Sequence, residues 1–282
     1  MRLGISNIAW DVAEDETIAA LLQRLGIDAI DVAPSKYFAD PAGASDEEIR
    51  RVRDWWNERG IEITGMQALL FGTSGLNLFG PPESQQAMLR HLAAVCRIGA
   101  GLGATRLVFG SPNNRDRSGL TGHQALAVAV PFFKRLGDLA GAAGVRVCLE
   151  PNPARYGANF MMTTAETAMV VELIGHPAIR LQLDTGALTV NGEDPILELK
   201  NHGHLIGHIH ASEPDLLPLG EGGTRHEQIY QALIRHLPRQ LVCVEMLATA
   251  AEPHPVSVER ALECAIRCYR PAARSDAPGV AR

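Results

Sequence analysis

The sequence predicts an α/β fold, a single (β/α)8 TIM barrel, on three observations. Eight short apolar runs rich in β-branched residues recur along 282 residues, each with the length of a buried parallel strand. Amphipathic stretches of helical period lie between them, so strand and helix alternate from end to end. The marks of the competing open, doubly wound sheet are missing. No GxGxxG or Walker loop follows an early run, and Gly99, Gly101 and Gly103 close a helical pattern instead of opening one.

The elements follow in order. LGISNIAW at 3–10 leads to a helix at 15–25, whose acidic start suits a helix N-terminus and which stops at Gly26. IDAIDVAP at 27–34 leads to 46–59, opened by the capping box Ser45/Glu48 and closed by Gly60. IEITGMQALLF at 61–71, TRLVFGS at 105–111 and VRVCLEP at 145–151 precede helices at 83–102, 122–143 and 164–175. IRLQLDTG at 179–186, LIGHIHAS at 205–212 and LVCVEML at 241–247 precede helices at 193–201, 225–236 and 255–269. Gly26, Gly60 and Gly144 each stand just before a run, as left-handed C-cap residues do. The barrel is expected over residues 1–270, with an Ala/Pro/Arg-rich, disordered tail at 271–282.

Composition narrows the partners. Lys+Arg 26 against Asp+Glu 32 gives a net charge of −6 without a basic block, which argues against nucleic acid. No apolar run reaches the ~18 residues of a membrane span, and MRLGISNIAWD lacks a signal-peptide pattern. Five cysteines, an odd number, suggest free thiols in a reducing compartment. The expectation is a soluble cytoplasmic protein.

In such a barrel, function sits at the C-terminal ends of the strands. Four consecutive runs carry a carboxylate or imidazole there: Glu150, Asp184, His210 and Glu245. Three carboxylates and one histidine at one mouth repel unless a cation sits among them. Oxygen-rich ligation with one nitrogen suits a divalent metal, Mn²⁺ first, with Mg²⁺ or Co²⁺ as alternatives. Cys148 and Cys243, each two residues before a candidate ligand, are expected to fill barrel layers, and His208 to point the same way as His210, one layer deeper.

The phrases LEPNP, LQLDTG, GHIHASEP and CVEML, in that order, resemble the xylose isomerase-like barrel superfamily over residues 1 to about 270. That group holds sugar and sugar-phosphate isomerases and epimerases, with endonuclease IV as a distant relative. The resemblance implies that Glu150, Asp184, His210 and Glu245 are metal ligands. It also implies that Glu150 and Glu245 form an acid/base pair on opposite faces of a bound ketose. One glutamate would remove a carbon-bound proton acidified by the metal, and a cis-enediolate would then be reprotonated.

Two positions depart from the epimerase pattern of this group. Ala187 stands where a histidine is usual, and Leu216 where an arginine is usual. Other residues are candidates to grip substrate instead: Asn152 two past Glu150, Tyr156 in the same loop, and Trp10 as an aromatic wall. Asn113, Arg115 and Arg117 in the loop after strand four, and Arg225 and His226 after the glycine-rich segment following strand seven, complete the set. The implied partner is a small carbohydrate, and a homodimer is an open option, with Trp55 or Trp56 as a candidate contact. Alternatives to the isomerase/epimerase reading are a metal-dependent lyase on a keto-sugar or dehydroshikimate-type substrate, and a non-catalytic sugar-binding barrel. An endonuclease IV-like nuclease is remote, because the ends of strands two and three read Asp31-Val-Ala-Pro and Gln67-Ala-Leu, without histidine.

Overall fold

Eight parallel strands pair in sequence order and close on themselves: β1 (Leu3–Ser6), β2 (Ala29–Val32), β3 (Glu62–Met66), β4 (Arg106–Phe109), β5 (Arg146–Leu149), β6 (Ile179–Asp184), β7 (Ile206–Ser212) and β8 (Val242–Glu245). The computed structural model describes residues 1–271, so from residue 272 onward the tail expected to be disordered lies outside the described residues. Outside the barrel lie α1 (Asp15–Arg24), α2 (Asp46–Asn57), α3 (Pro82–Leu102), α4 (Gly122–Ala142) and α5 (Thr164–Ile174). They continue with α6 (Thr185–Asn191), α7 (Pro195–His202), α8 (His226–His236) and α9 (His254–Tyr269). No helix among the described residues is long and apolar enough to cross a membrane.

The local signals of the sequence are realised in the turns. Ser45 and Glu48 form the capping box of α2, with the Ser45 hydroxyl accepting from the Glu48 amide. Gly26, Gly60 and Gly144 have φ of 63°, 71° and 74°, the left-handed turn that ends each helix and starts the next strand. One helix departs from the expectation. Short α6 begins directly at the end of β6, where the sequence suggests a loop before a helix at 193–201. Its N-cap is Asp184, whose Oδ1 accepts from the Ala187 amide at 2.6 Å.

Leu, Ile, Val and Phe of the strands and inner helix faces make one continuous core between barrel and helices. Cys148 and Cys243 are fully buried, and all five thiols are free.

The segment after β7 is tied down by one buried carboxylate. Glu213 accepts from the Gly220 amide at 2.7 Å, the Thr224 amide at 2.9 Å and His226 Nε2 at 3.0 Å. His226 Nδ1 lies 2.8 Å from the Tyr269 hydroxyl on α9. Burial alone would raise the Glu213 carboxyl, but the His226, Thr224 and Gly220 donors outweigh it and hold it at about 2. Its folded value lies below the ordinary 4.5, so this stabilisation is complete above that pH and fades as pH falls toward 2.

His226→Ala should therefore lower stability at neutral pH by about 1–3 kcal/mol, the range for a buried acceptor losing its donor. The deficit should shrink in acid, and bound metal should be unchanged. Urea unfolding at several pH values with metal analysis checks this; an unchanged midpoint at neutral pH would refute the clamp.

Candidate functional site

The C-terminal ends of β5 to β8 deliver one polar group each to the barrel mouth. Glu150 directly follows β5, Asp184 ends β6, His210 lies in β7, and Glu245 ends β8. Register sets Asp184 beside His210, and Ser212 beside Glu245. One ligand atom from each of Glu150, Asp184, His210 and Glu245 lies within 4.8 Å of all the others. None of the four is more than 9% exposed.

Apart from the His210 imidazole, the hydrogen-bond donors to the three carboxylates are neutral. Asp184 Oδ2 accepts from the Ser212 hydroxyl at 2.6 Å, and Glu245 Oε1 from Gln67 Nε2 at 2.7 Å. Glu150 Oε2 accepts from Asn152 Nδ2 at 3.3 Å, while its buried Oε1 has no hydrogen-bond partner. These donors are neutral amides and a hydroxyl. Burial, reinforced by the charges of Glu150 and Glu245, pushes the Asp184 carboxyl up to about 8. A divalent cation would relieve that repulsion and satisfy the orphaned oxygen, and several carboxylate oxygens with one imidazole nitrogen fit it. Space is kept beside Gly110, where a Cβ would collide with Glu150 Oε2.

The imidazole is aimed from behind. Asp31, fully buried on β2, lies 2.5 Å from His208 Nε2 and 3.4 Å from His210 Nε2, and accepts from the Thr64 hydroxyl at 3.1 Å. Burial would raise the Asp31 carboxyl, but the two histidines hold it well below the usual range. With Nε2 of His210 turned to Asp31, Nδ1 faces Glu245 Oε2 at 3.1 Å and Glu150 Oε1 at 3.6 Å. A carboxylate behind a histidine is the usual arrangement for fixing the tautomer of a ligating imidazole.

Two cavities share this floor. Glu150, Glu245, Gly110 and Leu216 line both. One, of about 450 Å³, continues past Asn152, Tyr156, Asp184, Ala187 and Glu213. The other, of about 430 Å³, runs past Leu69, Leu70, Phe71, Phe109 and Leu247.

Of the residues expected to grip substrate, Asn152 and Tyr156 do line a cavity. Trp10 does not: it is fully buried, with Nε1 donating to Asp15 at 2.8 Å and its ring edge-on to Trp56. His226 is 2% exposed and has both nitrogens engaged by Glu213 and Tyr269, so it fixes the loop and lines neither cavity. Asn113 and Arg225 are exposed and line neither cavity. Arg117 ties its loop to Asn159 and Leu120 through their carbonyls. Arg115 is buried near Glu150 and Glu166 without a hydrogen bond to its guanidinium, and burial draws it down to about 10.

Asp31, Gln67 and Ser212 support the cluster and lie outside the set that the sequence points to. Asp31 and Gln67 lie in or just after strands β2 and β3, and their place near strand ends is the signal available.

The model of the xylose isomerase-like TIM barrel family matches residues 19–268. A search of curated proteins by sequence finds no match. Among solved structures, D-psicose 3-epimerase with D-tagatose from Clostridium cellulolyticum H10 superposes with a TM-score of 0.79 at 19% identity, covering 95% of this chain and 99% of that one. A 3-keto-D-glucoside 4-epimerase from E. coli gives 0.75 at 16% identity, covering 94% and 100%. The IolI protein with a bound zinc atom gives 0.74 at 16%, covering 95% and 98%. At these identities the likeness is one of fold, and the family match spans most of the sequence. The chain belongs to the xylose isomerase-like TIM barrel family.

Proposed function

We propose that this chain is a divalent-metal-dependent isomerase or epimerase of a keto-sugar. The observation that carries the reading is the buried cluster of Glu150, Asp184, His210 and Glu245, with both glutamates facing the imidazole Nδ1. Sugar epimerases among the structures of like fold support it. Mn²⁺ is the first ion to test, then Mg²⁺ and Co²⁺.

A cation held by these four residues would polarise a ketose carbonyl and its neighbouring hydroxyl, acidifying the hydrogen on the carbon between them. The residues of the chain do the rest. Glu150 and Glu245 project from β5 and β8, so a carbon seated between them meets one carboxylate on each face. One takes the proton and the other returns it. Delivery to the same carbon from the opposite face inverts it; where the proton comes from the terminal hydroxymethyl carbon, delivery to the former carbonyl carbon exchanges ketose for aldose. Asn152 and Gln67 hold the two carboxylates in place.

Metal binding should strengthen as pH rises. The Asp184 carboxyl, held at about 8, must lose its proton to ligate. Burial works against the His210 proton, but Glu245, Asp31 and Glu150 outweigh it and raise His210 well above its ordinary value. Protons therefore compete with the cation below those values and are released on binding. Titration calorimetry with Mn²⁺ in buffers of different ionisation enthalpy should show proton release and tighter binding toward about pH 8. Asp184→Asn should fold and lose the ion; one metal per chain in that variant would refute the assignment.

The acid/base pair is tested by isotope exchange. Glu150→Gln and Glu245→Gln keep size and one ligating oxygen but cannot take a proton. Each should keep some metal and lose turnover by about 10²–10⁴. In deuterated solvent, the variant lacking the abstracting base should exchange nothing, while the other can still wash label into the substrate. Near-normal rates in both would leave the glutamates as ligands only, and loss of a substituent from the substrate would favour a lyase.

A further inference from the structure

We infer that the substrate of this site is a keto-sugar bearing an apolar alkyl or aryl substituent. Its sugar end would lie in the chamber floored by Asp184 and Asn152, and its apolar end in the chamber lined by Leu69, Leu70, Phe71, Phe109, Leu216 and Leu247. This deepens the isomerase/epimerase reading and rests on it.

The two chambers share Glu150 and Glu245, but Asp184, Glu213 and Asp215 line only the first, so one molecule spanning both would present its reactive carbon to the glutamates. Each is within the ~300–1,000 Å³ of an ordinary small-molecule site. Beyond the two glutamates and the buried, unpartnered Gln67 Oε1, several polar groups along the second are already engaged by the protein. Lys36 Nζ donates to the carbonyls of Asn7 and Trp10, Gln67 Nε2 to Glu245, and the Ser111 hydroxyl to Asn114. Hydroxyl groups of a free sugar placed there would give up water for few new partners, whereas a hydrocarbon group would not.

Two further observations point the same way. Phe71 and Leu247, at the rim, are 74% and 51% exposed, apolar surface that an occupant of this chamber would cover. Ala68 and Leu216, both in its lining, have left-handed backbones with φ of 53°, a conformation that disfavours side chains other than glycine. Backbone strain at a cavity wall accompanies function more often than chance, and here it carries Leu216 to the junction of the two chambers.

The test is calorimetric binding of D-fructose and its 1-O-benzyl and 6-O-benzyl ethers to the Mn²⁺-loaded protein. At least one ether should bind about tenfold or more tightly than D-fructose, as burial of an aromatic ring implies. The rim variant Phe71→Ser/Leu247→Ser, chosen because both side chains are largely exposed and the fold should tolerate it, should erase most of that preference. Equal or tighter binding of D-fructose than of both ethers would overturn the inference. So would a preference that survives the rim variant, or a rim variant that converts a dimer to a monomer without changing the preference, since the patch would then belong to a second copy of the chain. Deuterium exchange separates this from the parent reading. A preferred ether that exchanges no label refutes the isomerase/epimerase reading and leaves the chamber assigned, whereas exchange with D-fructose alone and no ether binding does the reverse.

Discussion

The pairing of Asp31 with His210 holds the only imidazole of the cluster in one orientation, and the geometry of the mouth follows from it. Asp31 reaches from β2 to β7 through the barrel interior, where it meets both His208 and His210. An ionised carboxylate buried so completely must collect donors, and two histidines and the Thr64 hydroxyl supply them. With Nε2 engaged, His210 presents Nδ1 upward between Glu150 and Glu245. Without Asp31 the ring would be free to turn, and three carboxylates would face one another without a fixed nitrogen among them.

The carboxylates are placed by the chain's own turns. Asp184 ends β6 and at once caps α6, so the direction of its side chain is tied to the start of a helix. Oδ1 takes the Ala187 amide and Oδ2 the Ser212 hydroxyl, which in turn accepts from the Gly186 amide. This coupling explains the character of position 187. It lies in the first turn of α6, with its side chain against the carboxylate chamber, and alanine there leaves open the volume that a histidine would occupy. Leu216 lines this chamber and its neighbour, so the two meet in one continuous space.

The fold is legible in the sequence because its signals are repetitive: strand-length apolar runs, helical periodicity, and glycine at the helix-to-strand turns. Helix α6 escapes because Thr185, Thr189 and Val190 are weak helix formers and Gly186 reads as a turn. The cluster is legible for a geometric reason, since the end of a barrel strand fixes where its side chain goes. Loop residues lack that constraint. Spacing cannot say that Trp10 turns inward to Asp15, or that His226 faces Glu213 and Tyr269, and it leaves Asn113 and Arg225 looking like binding groups. Asp31 is hidden for the opposite reason, as one of two aspartates in a mostly apolar run, with partners that lie 177 and 179 residues away in sequence.

Strain is distributed unevenly between the two ends of the barrel, and the asymmetry bears on function. Among the described residues, the non-glycine residues with positive φ are Ala68, Met161, Asp215 and Leu216. All four lie in segments that follow a strand, β3, β5 or β7, at the end that carries the carboxylate cluster. At the opposite end, the turns from helix to strand adopt the same backbone conformation with glycine, at Gly26, Gly60, Gly103, Gly144 and Gly175. A left-handed non-glycine residue costs about 1–3 kcal/mol, and relief by glycine needs only one substitution. Where only folding is at stake, the chain has taken that relief. The mouth-side loops use glycine as well, at Gly72, Gly75, Gly119, Gly157, Gly220 and Gly223, but Ala68, Asp215 and Leu216 keep side chains at the cavity wall. Left-handed side chains thus occur at the face where buried like charges and most of the unpartnered polar atoms also collect, and such conflicts are expected where a fold has been bent to chemistry.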